Sequence, residues 1–236
     1  MKIINNDMGT FITYDLENVK IVFSTAEKNL DFNKNIVIGK QNLKKLINCH
    51  NVRGLNYLNQ IHSDCIFINP DDVKEGDAII SDKREEVIGV FTADCVPVIL
   101  YDEKNNVVAA VHSGWQGTIK EIVLKTLTKM KEVYGSYGED IKAFVGPHNR
   151  ECCYEVSEEL INSFKERDLY KNIEINKGRH LSLYNCILKQ LKEFGVMEEN
   201  IIDIKLCTYC NKEFKLHSYR KDKENSGRMF SYVYIK

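Results

Sequence analysis

The 236-residue chain contains no apolar run approaching the roughly 18 residues that a membrane-crossing helix needs, so no membrane span is expected. Surplus charge is absent too. Its 33 Lys and Arg oppose 34 Asp and Glu, which leaves no global attraction to nucleic acid or to an anionic membrane. The first residues, MKIINNDMGTFITYD, carry Asn and Asp where a secretory signal has its apolar core, so the expected compartment is cytoplasmic. Proline occurs only at Pro70, Pro97 and Pro147, and no Gly/Ser-rich stretch or internal repeat is present. Nothing therefore reads as a linker, and a single domain over residues 1–236 is expected.

Cysteine is the residue in good supply, at positions 49, 65, 95, 152, 153, 186, 207 and 210. Without a secretory signal these read as thiols or metal ligands before disulfides. The one CxxC, Cys207–Cys210, lacks the second CxxC of a zinc ribbon, so it reads as two half-buried thiols near a strand end. Cys152 and Cys153 read likewise as packing residues.

Extended segments are expected at Thr10–Tyr14, Val19–Ser24, Leu55–Ile61, Cys65–Ile68, Asp77–Ile80, Val87–Phe91, Val96–Tyr101, Val107–Val111, Ala143–Gly146, Ile201–Ile204 and Phe230–Ile235. Val107–Val111 is apolar without alternation, as expected of a strand buried on both faces. One helix is expected around Leu43, Leu46 and Ile47. A second follows a Thr118/Glu121 capping box and carries the stripe Ile119, Ile122, Val123, Leu127, Met130 and Val133 up to Gly135. Others begin near Ser157 and Leu183, the last stopping at Gly195. Strands and helices mix without regular βαβ alternation, which favours an α+β fold over a doubly wound sheet.

Three segments set a potential metal ligand at a strand end beside small residues: Asn59-Gln-Ile-His62, Thr92-Ala-Asp-Cys95 and Val111-His112-Ser-Gly-Trp-Gln-Gly117. His112 terminates a buried apolar run, where an uncompensated imidazole would cost a few kcal/mol. Two imidazoles and a thiolate suit Zn²⁺, and three protein ligands leave a fourth tetrahedral position open, the catalytic rather than the structural pattern.

The segments NQIHSD, GDAIIS, FTADCVPVILYD, AAVHSGWQGT, VGPHNRECCYEV and CTYCNKEFKLHSYRKDKENSGR, in this order, resemble the YfiH/laccase-domain family, once called multicopper polyphenol oxidases and now regarded as purine nucleoside enzymes. The resemblance runs from about Phe23 to the C-terminus. It implies a single domain with a mixed β-sheet core flanked by helices, a zinc held by His62, Cys95 and His112, and phosphorolysis of adenosine and inosine to free base and ribose 1-phosphate. It further implies cleavage of methylthioadenosine and deamination of adenosine. The sequence departs from the family pattern at Ser63 (usually Gly), Gln116 (usually Arg), His148 (usually small or Cys) and Ser182 (usually Asp), and Ala26–Leu30 replaces a Gly-rich loop. The metal set is intact, and the departures bear on substrate preference.

On this reading a phosphate nucleophile needs cationic donors, for which Arg220 and Arg228 in the Ser-Tyr-Arg and Ser-Gly-Arg elements are the candidates. Deamination needs an activated water at the purine C6 and a carboxylate that moves protons; Asp94, beside Cys95, is nearest in sequence. Its alternative role is to orient a ligand or cap the corner. Tyr154 and Trp115 are candidates for stacking on a base, and Ser113 for a hydroxyl contact. A nucleoside and phosphate are the expected partners, and a monomer or small homo-oligomer the expected state.

Three rival readings stay open, one of them a non-enzymatic partner-binding domain, which no sequence feature requires. Cys95 as thiolate nucleophile with His112 as base would give a metal-free hydrolase or amidase of the peptidoglycan-editing type. Copper oxidation, the activity in the old family name, needs roughly ten imidazoles for its four coppers. The chain has six His, at 50, 62, 112, 148, 180 and 217, and no His-x-His, so copper is disfavoured on ligand count.

Overall fold

The computed structural model describes all residues, Met1–Lys236. In chain order the strands are β1 (Lys2–Asn5), β2 (Thr10–Asp15), β3 (Val19–Ser24), β4 (Gly54–Asn56), β5 (Ile66–Ile68), β6 (Ala78–Ser81), β7 (Glu86–Thr92), β8 (Val96–Asp102), β9 (Val107–Ser113), β10 (Ile141–Val145), β11 (Asn176–Lys177), β12 (His180–Leu181), β13 (Ile201–Asp203) and β14 (Met229–Ile235). The helices are α1 (Val37–His50), α2 (Trp115–Ile119), α3 (Ile122–Tyr134), α4 (Glu158–Lys165), α5 (Leu183–Phe194) and α6 (Tyr219–Asp222).

The mixed β-sheet core is built as two six-stranded sheets, ordered β1-β2-β3-β14-β7-β4 and β13-β10-β8-β9-β6-β5. Both are mixed: β4 runs parallel to β7, β5 to β6 and β10 to β13, and the other pairings are antiparallel. Strand alternation explains the stacking. On β8 and β9, Val98, Leu100, Val107, Ala109 and Val111 face α3 and α5, while Ile99, Tyr101, Val108 and Ala110 face the first sheet. There they meet Ile21, Phe23, Ile88, Val90 and Val233, each such side chain contributing about 2 kcal/mol by burial. The other face of the first sheet packs on α1 through Leu43 and Leu46. The result is four layers, helix–sheet–sheet–helix, in an α+β fold.

Two local expectations are corrected. The Thr118/Glu121 capping box does not form: the helix begins earlier, at Trp115, and breaks where Glu121 takes a left-handed φ of 65°. The Thr118 hydroxyl bonds to the Gly114 carbonyl instead of capping α3. The exposed strand β1, with Ile3 and Ile4 on the surface, carried no burial pattern to announce it.

The chain changes sheets three times at one end of the sandwich. The β4–β5 connection carries His62, the β7–β8 corner carries Asp94 and Cys95, and the β13–β14 connection carries Arg220 and Arg228. His112 lies on the same side of β9 as Val108 and Ala110, so it closes that end of the inter-sheet layer.

Candidate functional site

His62, Cys95 and His112 converge there, their potential ligand atoms lying within 4.8 Å of one another. Cys95 Sγ is 3.8 Å from His62 Nε2, and the two imidazoles meet edge to face with centroids 4.9 Å apart. Ligands on a tetrahedral zinc, with Zn–S of roughly 2.3 Å and Zn–N of roughly 2.0 Å, stand about 3.6 Å apart, so the trio fits that ion. The close approach depends on Gly114: a Cβ there would lie 3.0 Å from His62 Cδ2 and 3.1 Å from Cys95 Sγ.

One residue organises the trio, and it was not singled out from sequence. Asp77, fully buried, bonds to His112 Nδ1 at 2.7 Å, which leaves His112 Nε2 as the nitrogen free to ligate a metal. The same carboxylate accepts from the backbone N–H groups of Ile61, His62 and Ser63 at 3.3, 3.1 and 2.6 Å, and from the Ser63 hydroxyl at 2.7 Å. These bonds hold His62 in its left-handed conformation, φ 58°. Burial opposes ionisation of Asp77, yet His112 and Ser63 hold its carboxyl down at about 2. Asp77 lies in the GDAIIS segment, at a strand start where only three-dimensional proximity reveals its role.

Burial also opposes a Cys95 thiolate, but the neighbouring His112 and His62 bring the thiol down to about 6. Burial opposes a charged His112, but Cys95 and Asp77 raise it to about 9. The thiolate is the form that binds metal.

A cleft of about 870 Å³ opens over the trio, and Asp94, Tyr154, Arg220 and Arg228 line it as well. Asp94 has φ 103°, and its carboxylate accepts from Thr208 Oγ1 at 2.6 Å, Ser218 Oγ at 2.7 Å and the Arg220 N–H at 2.6 Å. Both of its oxygens are thus engaged in holding the β13–β14 connection against the corner. That geometry favours orientation over proton transfer. The Arg220 guanidinium bonds to the Glu155 carbonyl at 2.7 Å and lies 5.0 Å from the Tyr154 ring centroid. Arg228 bonds to the carbonyls of Ser226 and Gly227.

Ser113 does not reach the cleft. Alternation along β9 turns it to the helix side, where its hydroxyl pairs with Thr118 Oγ1 at 2.8 Å. Trp115 is exposed at the start of α2, outside the cleft lining. Asn149, by contrast, was missed: it is buried against the cleft, and its amide Nδ2 has no protein acceptor.

Against known proteins, residues 23–236 match the family described as multi-copper polyphenol oxidoreductase laccase. The chain belongs to this family. A Clostridium acetobutylicum relative named purine nucleoside phosphorylase is 46% identical over 236 residues, covering 99% of both chains. Adenosine deaminase RL5, from an unknown prokaryotic organism, is 32% identical over 68% of this chain and 62% of its own length. The crystal structure of the Bacillus licheniformis hypothetical protein YfiH superposes with a TM-score of 0.82 at 25% identity, covering 92% of this chain and 93% of that one.

Several departures from the laccase-family pattern have local explanations. Ser63 adds its hydroxyl to the donors on Asp77. Ser182 caps α5 by accepting from the Asn185 N–H at 3.2 Å, work an Asp does equally well. His148 does not become a cleft contact: it is buried, bonds to the Gly146 carbonyl at 2.9 Å and stacks on Tyr184. Gln116 also lies outside the cleft lining.

Proposed function

We propose that the chain is a zinc-dependent purine nucleoside phosphorylase acting on adenosine and inosine, and also on methylthioadenosine, with accompanying adenosine deaminase activity. On this reading residues 1–236 form one cytoplasmic catalytic domain that works as a monomer or small homo-oligomer. The observation that carries it is the convergence of His62, Cys95 and His112 beneath a cleft lined by Arg220 and Arg228. The full-length relative bearing the phosphorylase name supports it, as does RL5 for the deaminase component.

Zinc bound by the trio supplies Lewis-acid polarisation beside the reacting atoms. Asp77 fixes the His112 tautomer and the His62 loop, so the ligands meet the ion without rearranging. Arg220 and Arg228 bind phosphate through their guanidinium N–H groups and hold it against the ribose C1′. As the C1′–N9 bond breaks, one oxygen of hydrogen phosphate bonds to C1′, the bond pair leaves with the purine, and the phosphate's proton passes to the purine through solvent, giving ribose 1-phosphate and free base. Tyr154 offers a ring to the substrate, and the Asn149 amide donates a hydrogen bond to it.

Copper oxidation fits poorly, because of six His only His62 and His112 share a site. The hydrolase reading keeps one specific observation in its favour: Cys95, His112 and Asp77 are arranged as nucleophile, base and orienting carboxylate. Incubating the zinc-loaded protein with inosine, with and without phosphate, separates the two. Ribose 1-phosphate formed only with phosphate supports the phosphorylase. A zinc-free protein with amidase activity, inactivated by alkylation of Cys95 alone, would establish the hydrolase instead.

A further inference from the structure

We propose that Cys152, Cys153, Cys207 and Cys210 form a second zinc site, a closed four-thiolate centre that shapes one wall of the cleft. The four sulfur atoms lie within 4.8 Å of one another, and Cys152 Sγ and Cys210 Sγ are 3.6 Å apart. A tetrahedral four-thiolate zinc with Zn–S of roughly 2.3 Å sets its sulfurs about 3.8 Å apart, whereas a disulfide requires roughly 2.05 Å. All four are free thiols, and Cys152 and Cys210 are exposed. The expectation that these residues serve packing holds for buried Cys207 but not for exposed Cys152 and Cys210, and all four sulfurs cluster together.

Backbone geometry gathers them. Parallel pairing of β10 with β13 aligns Val145 with Asp203. The ladder then continues through the His148–Cys207 bridge, with His148 N–H donating to the Leu206 carbonyl at 3.2 Å and Thr208 N–H donating to the His148 carbonyl at 2.9 Å. The chains leave this ladder side by side and turn, so two cysteine pairs 58 residues apart in sequence (Cys152 to Cys210) arrive at one point. Arg150 and Asp203 brace the same ladder with a half-buried ion pair at 2.8 Å.

Four soft thiolates in tetrahedral reach select zinc and leave no open position, so the role is structural. The first turn is flanked by Asn149 and Tyr154, and the chain beyond the second leads to Tyr219 and Arg220 at the start of α6; all four line the cleft. The ion would thus set the cleft wall without touching substrate.

The test is zinc counting by native mass spectrometry, with X-ray absorption at the zinc edge. Wild-type protein should carry about two zinc ions per chain, Cys210→Ser and His112→Ala about one each, and the ion kept by His112→Ala should show about four sulfur neighbours at roughly 2.3 Å. A wild-type chain that saturates at about one zinc, with nitrogen as well as sulfur neighbours at that ion, overturns the proposal without any variant having to fold. So does nitrogen or oxygen scattering in His112→Ala, or a Cys152–Cys210 disulfide in protein purified without reductant.

Discussion

Asp77 and His112 are joined by a 2.7 Å hydrogen bond with both side chains almost wholly out of solvent. A buried carboxylate so placed commits Nδ1 of the imidazole and directs Nε2 toward Cys95. The same carboxylate clamps the His62 loop, so one side chain aligns both histidines of the proposed zinc site. Asp77→Asn is therefore expected to weaken zinc binding there by roughly 10- to 100-fold, the range found for lost outer partners of metal ligands. Competition with a chromogenic chelator measures it, and an unchanged affinity would refute the orienting role.

Arg228 is the cleft cation whose mapped side-chain bonds are to carbonyls of its own loop, Ser226 and Gly227. Replacing it as Arg228→Gln removes a charge-assisted contact with phosphate and should raise KM for phosphate by roughly 10- to 100-fold. KM for the nucleoside should change little. Initial rates over a grid of both substrates distinguish this from a general loss of fold, which lowers kcat without that selectivity.

Asn149 carries a buried amide donor without a protein acceptor, a cost to the free protein that binding would recover. Asn149→Leu, similar in size, should leave the urea unfolding midpoint unchanged or higher while lowering kcat/KM for inosine by about 10-fold. A variant that loses stability but keeps full kcat/KM would assign Asn149 to the scaffold alone.

Acid stability should follow two histidines, His50 half-buried and His148 buried. His50, bonded to Tyr232 Oη at 2.7 Å, is held down at about 4 by burial and by nearby Lys20. His148 is held at about 4 chiefly by burial. In the unfolded chain both titrate near 6.5, so between about pH 6.5 and pH 4 the unfolded state binds more protons. Their contribution is complete above pH 6.5 and lost as pH falls toward 4. Urea midpoints measured across that window should decline, and His50→Gln should flatten the decline. Asp77, held at about 2, acts only at lower pH.

Much of the site was legible because its ligands end strongly patterned strands: the apolar run Val107–Val111 leads straight into His112, and Cys95 stands at a corner between two apolar runs. What escaped depends on topology. Asp77 is 35 residues from His112, and nothing local marks it as that residue's partner. The cysteine pairs meet only because β10 and β13 lie parallel, a pairing the sequence does not encode locally. Ser113 was misread because the register of β9 decides which of two neighbours faces the cleft. Thr118 matched a capping box by spacing, but the helix already begins at Trp115, so its hydroxyl back-bonds to the Gly114 carbonyl one turn earlier and pairs with Ser113.

The most direct test of the central claim compares wild-type protein with His112→Ala, each saturated with zinc and incubated with inosine in the presence and absence of phosphate. The account predicts phosphate-dependent ribose 1-phosphate from the wild type alone, with the variant losing that activity together with the zinc ion held by His62, Cys95 and His112. A zinc-replete wild type that leaves inosine intact, or a His112→Ala protein that still makes ribose 1-phosphate, would contradict it.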